Sequence, residues 1–213
     1  DAMLLRRPIS ISEIDYGRSQ CRIIYRVEGL GTDVFSNMVA GDYLDVMGPL
    51  GNGFEIDFLK DGDPILIIGG GIGVPPLVEV AKQAAKRGAK VTSVIGFATK
   101  EAVILEEELA QYGSVHVTTD DGSYGIKGSV ATVVEQLKND FSAIYSCGAP
   151  GMMKYVDQRF QDHPHAYLSL EARMACGMGA CYACVVKPKG GQAHENKRVC
   201  KEGPVFETGS LVL

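Results

Sequence analysis

"PILIIGGGIGVPPL", residues 64–77, decides the fold. Its first half is a continuous apolar run closed by glycine, the pattern of a strand buried on both faces in a parallel sheet. Gly69, Gly70, Gly71 and Gly73 then form a turn, and Pro75 and Pro76 open a helix at positions where a missing N–H costs no intrahelical bond. A strand, a glycine turn and a helix start can together present free backbone N–H groups to a phosphate. The run departs from G-x-G-x-x-G, so a turn that merely allows tight packing is the competing reading.

Downstream, "KVTSVIGFA", "SVHVTTD", "SAIYSCG" and "HAYLSLE" read as further strands, with helical patterns near 75–87, 101–112, 129–137 and 151–160. Strands alternating with helices predict a mostly parallel sheet covered on both faces, because parallel neighbours need a crossover connection. Upstream the texture differs. "PISISEI", "CRIIYRVE" and "DYLDVMG" are short and strand-like, with a brief helix beginning near Asp33, and suggest part of a β-barrel. The expected division is α/β plus all-β: a partial barrel over 1–60, a Rossmann-like nucleotide domain over 61–168, and a small tail domain over 169–213.

The tail contains "CGMGACYACVV", with spacing Cys176-x4-Cys181-x2-Cys184-x15-Cys200. This is close to the plant-type arrangement that holds a [2Fe–2S] cluster. Gly177, Gly179, Ala180 and Ala183 let the backbone fold closely around the metal and aim N–H groups at sulfur. A structural zinc site is the alternative, although it more often pairs two short C-x2-C knuckles. Cys21 and Cys147 lie in strand-like runs and read as small buried hydrophobes. His116, His163, His165 and His194 read as structural or solvated.

The 213 residues carry a net charge of -5 with Lys and Arg scattered, so the positive stripe of a nucleic-acid binder is missing. The apolar stretches are broken well before the length of a membrane span. "DAMLLRRPIS" lacks the segments of a secretory signal, which leads to the expectation of a cytoplasmic protein in which disulfides are disfavoured.

"RPIS", "GPLGNGF" (residues 48–54), "GGGIGVPPL" and "CGAPGMM" (residues 147–153) occur in the order found in ferredoxin–NADP reductase-like flavoproteins, which the chain resembles. With "TDDGSYG" and "EARMACGMGACYACVV…RVC" added, the resemblance covers essentially the whole chain. It narrows to the electron-transfer subunits of heteromeric, NAD-dependent dihydroorotate dehydrogenases of the B type. The resemblance implies FAD on the barrel. Arg7, Pro8, Ile9 and Ser10 would hold it, with Arg7 on the diphosphate, where a planar guanidinium suits phosphate, and Ser10 beside the reactive edge. Ile24, Tyr25 and Arg26 would lie on the adjoining strand, and the backbone of Gly31 and Thr32 would meet the phosphates, unless Thr32 is simply a helix N-cap. The Cys147 turn would lie beside the nicotinamide. The family's barrel has strands before R-x-x-S, whereas here that segment begins at Arg7, so a barrel lacking its N-terminal strands is expected.

Sites for NAD, FAD and a [2Fe–2S] cluster imply an electron relay in which no side chain acts as nucleophile or strong base. There is no room for the (β/α)8 barrel that dihydroorotate oxidation would require. A separate FMN-containing catalytic subunit is therefore expected, in a heterotetramer of two of each, serving pyrimidine biosynthesis. Within the same chemistry, the flavin and iron–sulfur subunit of a hydrogenase, sulfide dehydrogenase or transhydrogenase remains open; from another class, so does a zinc-stapled nucleotide-binding module. No arginine follows the strand ending near Phe97 to grip a 2′-phosphate, which favours NAD over NADP, with Lys100 as the reservation.

Overall fold

The computed structural model describes residues 5–213; the first four residues of "DAMLLRRPIS" lie outside them. Strands β1 (Ile11–Asp15) and β2 (Gln20–Ile23) form a two-stranded antiparallel sheet, followed by helix α1 (Leu30–Ser36). The rest of the barrel region has no further strand among the described residues. "DYLDVMG", expected as a strand, is irregular, and Tyr43 is 99% exposed. A strand needs a neighbour for its N–H and C=O groups, and among the described residues none pairs with this segment. Nor does β2 extend through Ile24, Tyr25 and Arg26, which follow it outside any strand. The helix begins before Asp33, and Thr32 is its third residue rather than its cap: Thr32 Oγ1 accepts the Gly29 N–H at 3.2 Å.

The core is a seven-stranded sheet. Its members are β3 (Pro64–Gly70), β4 (Lys90–Phe97), β5 (Gly113–Thr119), β6 (Ile126–Lys127), β7 (Ala143–Cys147), β8 (Ala166–Ser169) and β11 (Val205–Glu207), in the spatial order β11-β8-β7-β3-β4-β5-β6. Every pair is parallel except β11 with β8. Ile65, Leu66, Ile67 and Ile68 are fully buried, as expected for a central strand covered on both faces. Alternate residues divide between two cores. Ile65 and Ile67 pack with Leu77, Val78 and Ala81 of α2 (Pro75–Lys86) and Leu109 of α3 (Glu106–Ala110). Leu66 and Ile68 pack with Val130 and Val133 of α4 (Val130–Val134) and Met153 and Val156 of α5 (Pro150–Arg159).

The helix expected near 101–112 is divided. A single 3-10 turn, Lys100–Ala102, precedes α3, and Leu105 between them is left-handed at φ 64°, a conformation that interrupts a right-handed helix. The pattern near 129–137 yields only the short α4.

The tail contains β9 (Val185–Val186) paired antiparallel with β10 (Lys197–Arg198), and then β11. Through its pairing with β8, β11 completes the edge of the main sheet, so residues 205–207 return to that sheet. Cys21 is exposed, contrary to expectation, since the β1–β2 hairpin leaves that face of β2 uncovered; Cys147 is buried.

Candidate redox site

Three groups of residues make up the site, the first at the carboxyl ends of β3 and β7, the edge where open α/β sheets bind ligands. The first is the glycine turn. Gly71 has φ +52°, which a side chain rarely adopts, and a Cβ at Gly73 would come 2.6 Å from Gly148 N, so the turn lies directly on the Cys147–Gly148 peptide. Gly70 is covered by Met152, whose Sδ would be 2.8 Å from a Cβ there, while Gly69 faces Val74 and Leu77 in the core. Gly69, Gly70 and Gly73 therefore allow close packing, while at Gly71 a Cβ would meet only Arg26 Nη2, at 3.8 Å, which leaves that part of the turn open. Burial is the main cause that pushes the Cys147 thiol up to about 12, with Glu171 adding to it, so this thiol is neutral and fits a contact role rather than nucleophilic chemistry.

The second group is the flavin-side segment. Arg7 lies across the first turn of α1: its Cζ would be 2.7 Å from a Cβ at Gly31, which only glycine allows. Its Nη1 also donates to the Leu5 carbonyl. Tyr25 packs edge-on against Phe35 of α1, with ring centroids 5.8 Å apart. Arg7, Gly31 and Tyr25, named from the sequence, therefore meet around α1. Pro8 and Ser10 are exposed at the surface before β1, with Ile9 half-buried between them. Arg26 pairs with Glu28 at 3.2 Å and reaches across to the glycine turn, its Nη2 3.8 Å from the Cβ position of Gly71. Those residues fit a dinucleotide flavin at its diphosphate end.

The hairpin is fixed to the nucleotide half by charge. Glu79 of α2 accepts the Ile14 N–H at 2.9 Å, and Lys82 donates to the Ile14 carbonyl at 2.7 Å and to Glu79 at 3.1 Å. Burial alone would raise the Glu79 carboxyl, but hydrogen bonds from Gln83, Ile14 and Lys82 outweigh it and hold it below the ordinary range.

The third group is the cysteine loop. The thiols form two pairs: Cys176 is in hydrogen-bond contact with Cys181, and Cys184 with Cys200, while Cys200 also feels Cys176. Among the described residues no three His, Cys, Asp or Glu side chains are arranged around one ion; two pairs suit a binuclear cluster, with two thiolates on each iron. Cys184 and Cys200 are buried, Cys176 is half-buried and Cys181 exposed. Backbone N–H groups of Cys181 and Met178, then the Cys181 side chain and the Ala180 N–H, bring the Cys176 thiol down to about 6, so the loop is already built to favour thiolate. Burial, followed by the Cys184 thiol, raises Cys200. Gly177 and Gly179 are left-handed at φ +69° and +83°.

Sequence reasoning missed the segment that joins the flavin side to this loop. Asn52 N donates to the Gly203 carbonyl at 2.7 Å, and Asn52 Nδ2 donates to the carbonyls of Lys201 at 2.8 Å and Glu202 at 3.2 Å. A Cβ on Gly177 would touch Leu50 Cδ1 and Met47 Cε at 3.0 Å. "GPLGNGF" was noticed as a motif, but its partner lies 149 residues away, which no local pattern reveals.

Residues 67–158 match the family model described as the oxidoreductase NAD-binding domain, and residues 171–212 the model of the iron–sulfur cluster binding domain of dihydroorotate dehydrogenase B. The dihydroorotate dehydrogenase B (NAD(+)) electron transfer subunit of Streptococcus pneumoniae (strain ATCC BAA-255 / R6) is 63% identical over 213 residues, covering 100% of this chain and 83% of that protein. The chain belongs to this electron transfer subunit family. Its Geobacillus thermodenitrificans relative is 52% identical over 210 residues, covering 99% of this chain and 81% of its own. Among solved structures, an NADH-dependent reduced ferredoxin–NADP oxidoreductase described in work on flavin-based electron bifurcation superposes with a TM-score of 0.85 at 30% identity, covering 98% of this chain and 74% of that one. The ferredoxin reductase-like architecture of the family is therefore present, with NAD-binding and iron–sulfur units in the expected order. No helix among the described residues is long and apolar enough to cross a membrane.

Proposed function

We propose that this chain relays electrons between NAD(H) and an FMN-containing dihydroorotate dehydrogenase catalytic subunit, by way of FAD and a [2Fe–2S] cluster held by Cys176, Cys181, Cys184 and Cys200. A bound FAD would supply the chemistry that converts between electron pairs and single electrons. The protein's part is placement. Gly70, Gly71 and Gly73 offer backbone to the NAD diphosphate, Arg26 stands at that turn, and the neutral Cys147 lines the nicotinamide end. Arg7, Pro8, Ile9, Ser10, Ile24, Tyr25, Gly31 and Thr32 surround the flavin, and Glu79 and Lys82 hold the hairpin against α2. The units follow the division 1–60, 61–168 and 169–213, with β11 returning to the central sheet. The assembly is a cytoplasmic heterotetramer serving pyrimidine biosynthesis.

The observation that supports this reading is the meeting of the flavin-side segment with the cysteine tail: Asn52 bonds the carbonyls of Lys201 and Glu202, and Leu50 lies beside Gly177. The 63% identity to a dihydroorotate dehydrogenase B subunit, against 30% to a bifurcating oxidoreductase with the same layout, favours this partner over the alternatives.

The test is to assay the chain alone and with the catalytic subunit. Alone it should oxidise NADH with an artificial one-electron acceptor and form no orotate; with the subunit, dihydroorotate should drive NAD+ reduction. Substantial orotate formation by the isolated chain would defeat the proposal. NADH should outperform NADPH, since Lys100 is the sole cation of "ATKEAVI" and lies over the Tyr124 ring at 5.8 Å.

A further inference from the structure

One guanidinium touches every segment that separates the four cysteines. Arg198 Nη1 donates to the Gly179 carbonyl at 2.7 Å, inside the loop between Cys176 and Cys181. Its Cζ lies 4.9 Å from the ring centre of Tyr182, between Cys181 and Cys184. Its Nε donates to Glu202 Oε2 at 3.0 Å, just past Cys200; Nη2 bonds the other carboxylate oxygen, and the Arg198 backbone N–H reaches Oε2 at 2.7 Å. The side chain is only 18% exposed. Tyr182 is left-handed at φ 55°, a conformation that costs a non-glycine residue energy and persists only where surroundings impose it.

We propose that Arg198 is the positioning residue of the cluster site, a clamp that holds the Cys176/Cys181 loop against the Cys184/Cys200 segment and, with Glu202, sets the local charge. The inference rests on the reading that these cysteines hold a [2Fe–2S] cluster. A planar fork with five donors can span a carbonyl, a ring face and a carboxylate together, whereas a lysine ammonium cannot. Without Arg198, the Gly179 carbonyl and the Tyr182 ring lose their tie to the Glu202 segment, and the more exposed thiol pair opens first. The pair also acts on the cluster's charge: a cation nearby favours the more negative reduced state, and a carboxylate opposes it.

The experiment uses the full complex with its catalytic subunit, comparing wild type with Arg198→Met, Arg198→Lys and Glu202→Gln. Iron and acid-labile sulfide are counted first, so that a wild type lacking both defeats the cluster assignment itself. The rate of visible bleaching by an iron chelator should rise in R198M by about tenfold or more, the cost typical of losing a support behind metal ligands. R198K should also bleach faster than wild type, because charge alone does not restore the clamp. The midpoint potential should fall in R198M and rise in E202Q, opposite signs that general loosening would not produce. Wild-type bleaching in R198M, or potentials that move together, would overturn the proposal. Should R198M accumulate without cluster, R198K decides: wild-type bleaching there overturns the clamp, and faster bleaching supports it.

Discussion

Gly73 lies flat against the Cys147–Gly148 peptide, with no space between the glycine turn after β3 and the end of β7. Gly73→Ala would push a methyl to within 2.6 Å of Gly148 N, against backbone that cannot yield as a flexible side chain would. We expect a loss of about 1–3 kcal/mol, as for other overpacked sites, and a raised KM for NADH with flavin and iron contents unchanged. Thermal unfolding and steady-state kinetics on one preparation check both.

The Glu79–Lys82–Ile14 network should give stability a specific pH dependence. The folded Glu79 carboxyl sits below its ordinary value of 4.5, so the unfolded chain binds its proton first as pH falls. The contribution is therefore complete above that value and is lost as pH drops through the folded pKa. Urea titrations of wild type and Glu79→Gln should differ by about 1–2 kcal/mol near neutrality, the worth of hydrogen bonds to a charged group, and converge in acid. A gap that persists unchanged in acid would show that the charge is not responsible.

Alkylation should separate the two cysteines outside the cluster loop. With the cluster loaded, iodoacetamide is expected to label the exposed Cys21 and spare Cys147, which is buried with its thiol near 12. Peptide mass mapping reads the result, and early labelling of Cys147 would contradict its burial.

Asn52→Ala removes two side-chain bonds to the carbonyls of Lys201 and Glu202 while leaving its own backbone bond to Gly203. We expect a loss of about 1 kcal/mol in local stability. It should appear as faster amide exchange confined to residues 199–204 and 47–52, with the sheet unaffected.

The parts of the molecule legible beforehand are those whose pattern is local. Ile65 to Ile68 had to be a covered strand because four consecutive apolar residues between proline and glycine suit no other neighbouring surface, and the thiol spacing was readable for the same reason. Leu105 in a left-handed conformation could not be foreseen, since leucine prefers helix, and it divided one expected helix. Asp42 to Gly48 alternates like a strand, but alternation does not supply a neighbour. Cys21 looked internal by residue type, yet which face of a hairpin is covered depends on what packs there. Arg198 and Asn52 were invisible because each works by reaching segments distant in sequence.

The antiparallel pairing of β11 with β8 has a mechanical meaning. The polypeptide leaves the α/β layer, winds past all four thiols, and is stitched back into the same layer through Val205, Phe206 and Glu207. The four thiols thus lie between two strands of one sheet, and a cluster they hold would be tied at both ends rather than carried on a free tail.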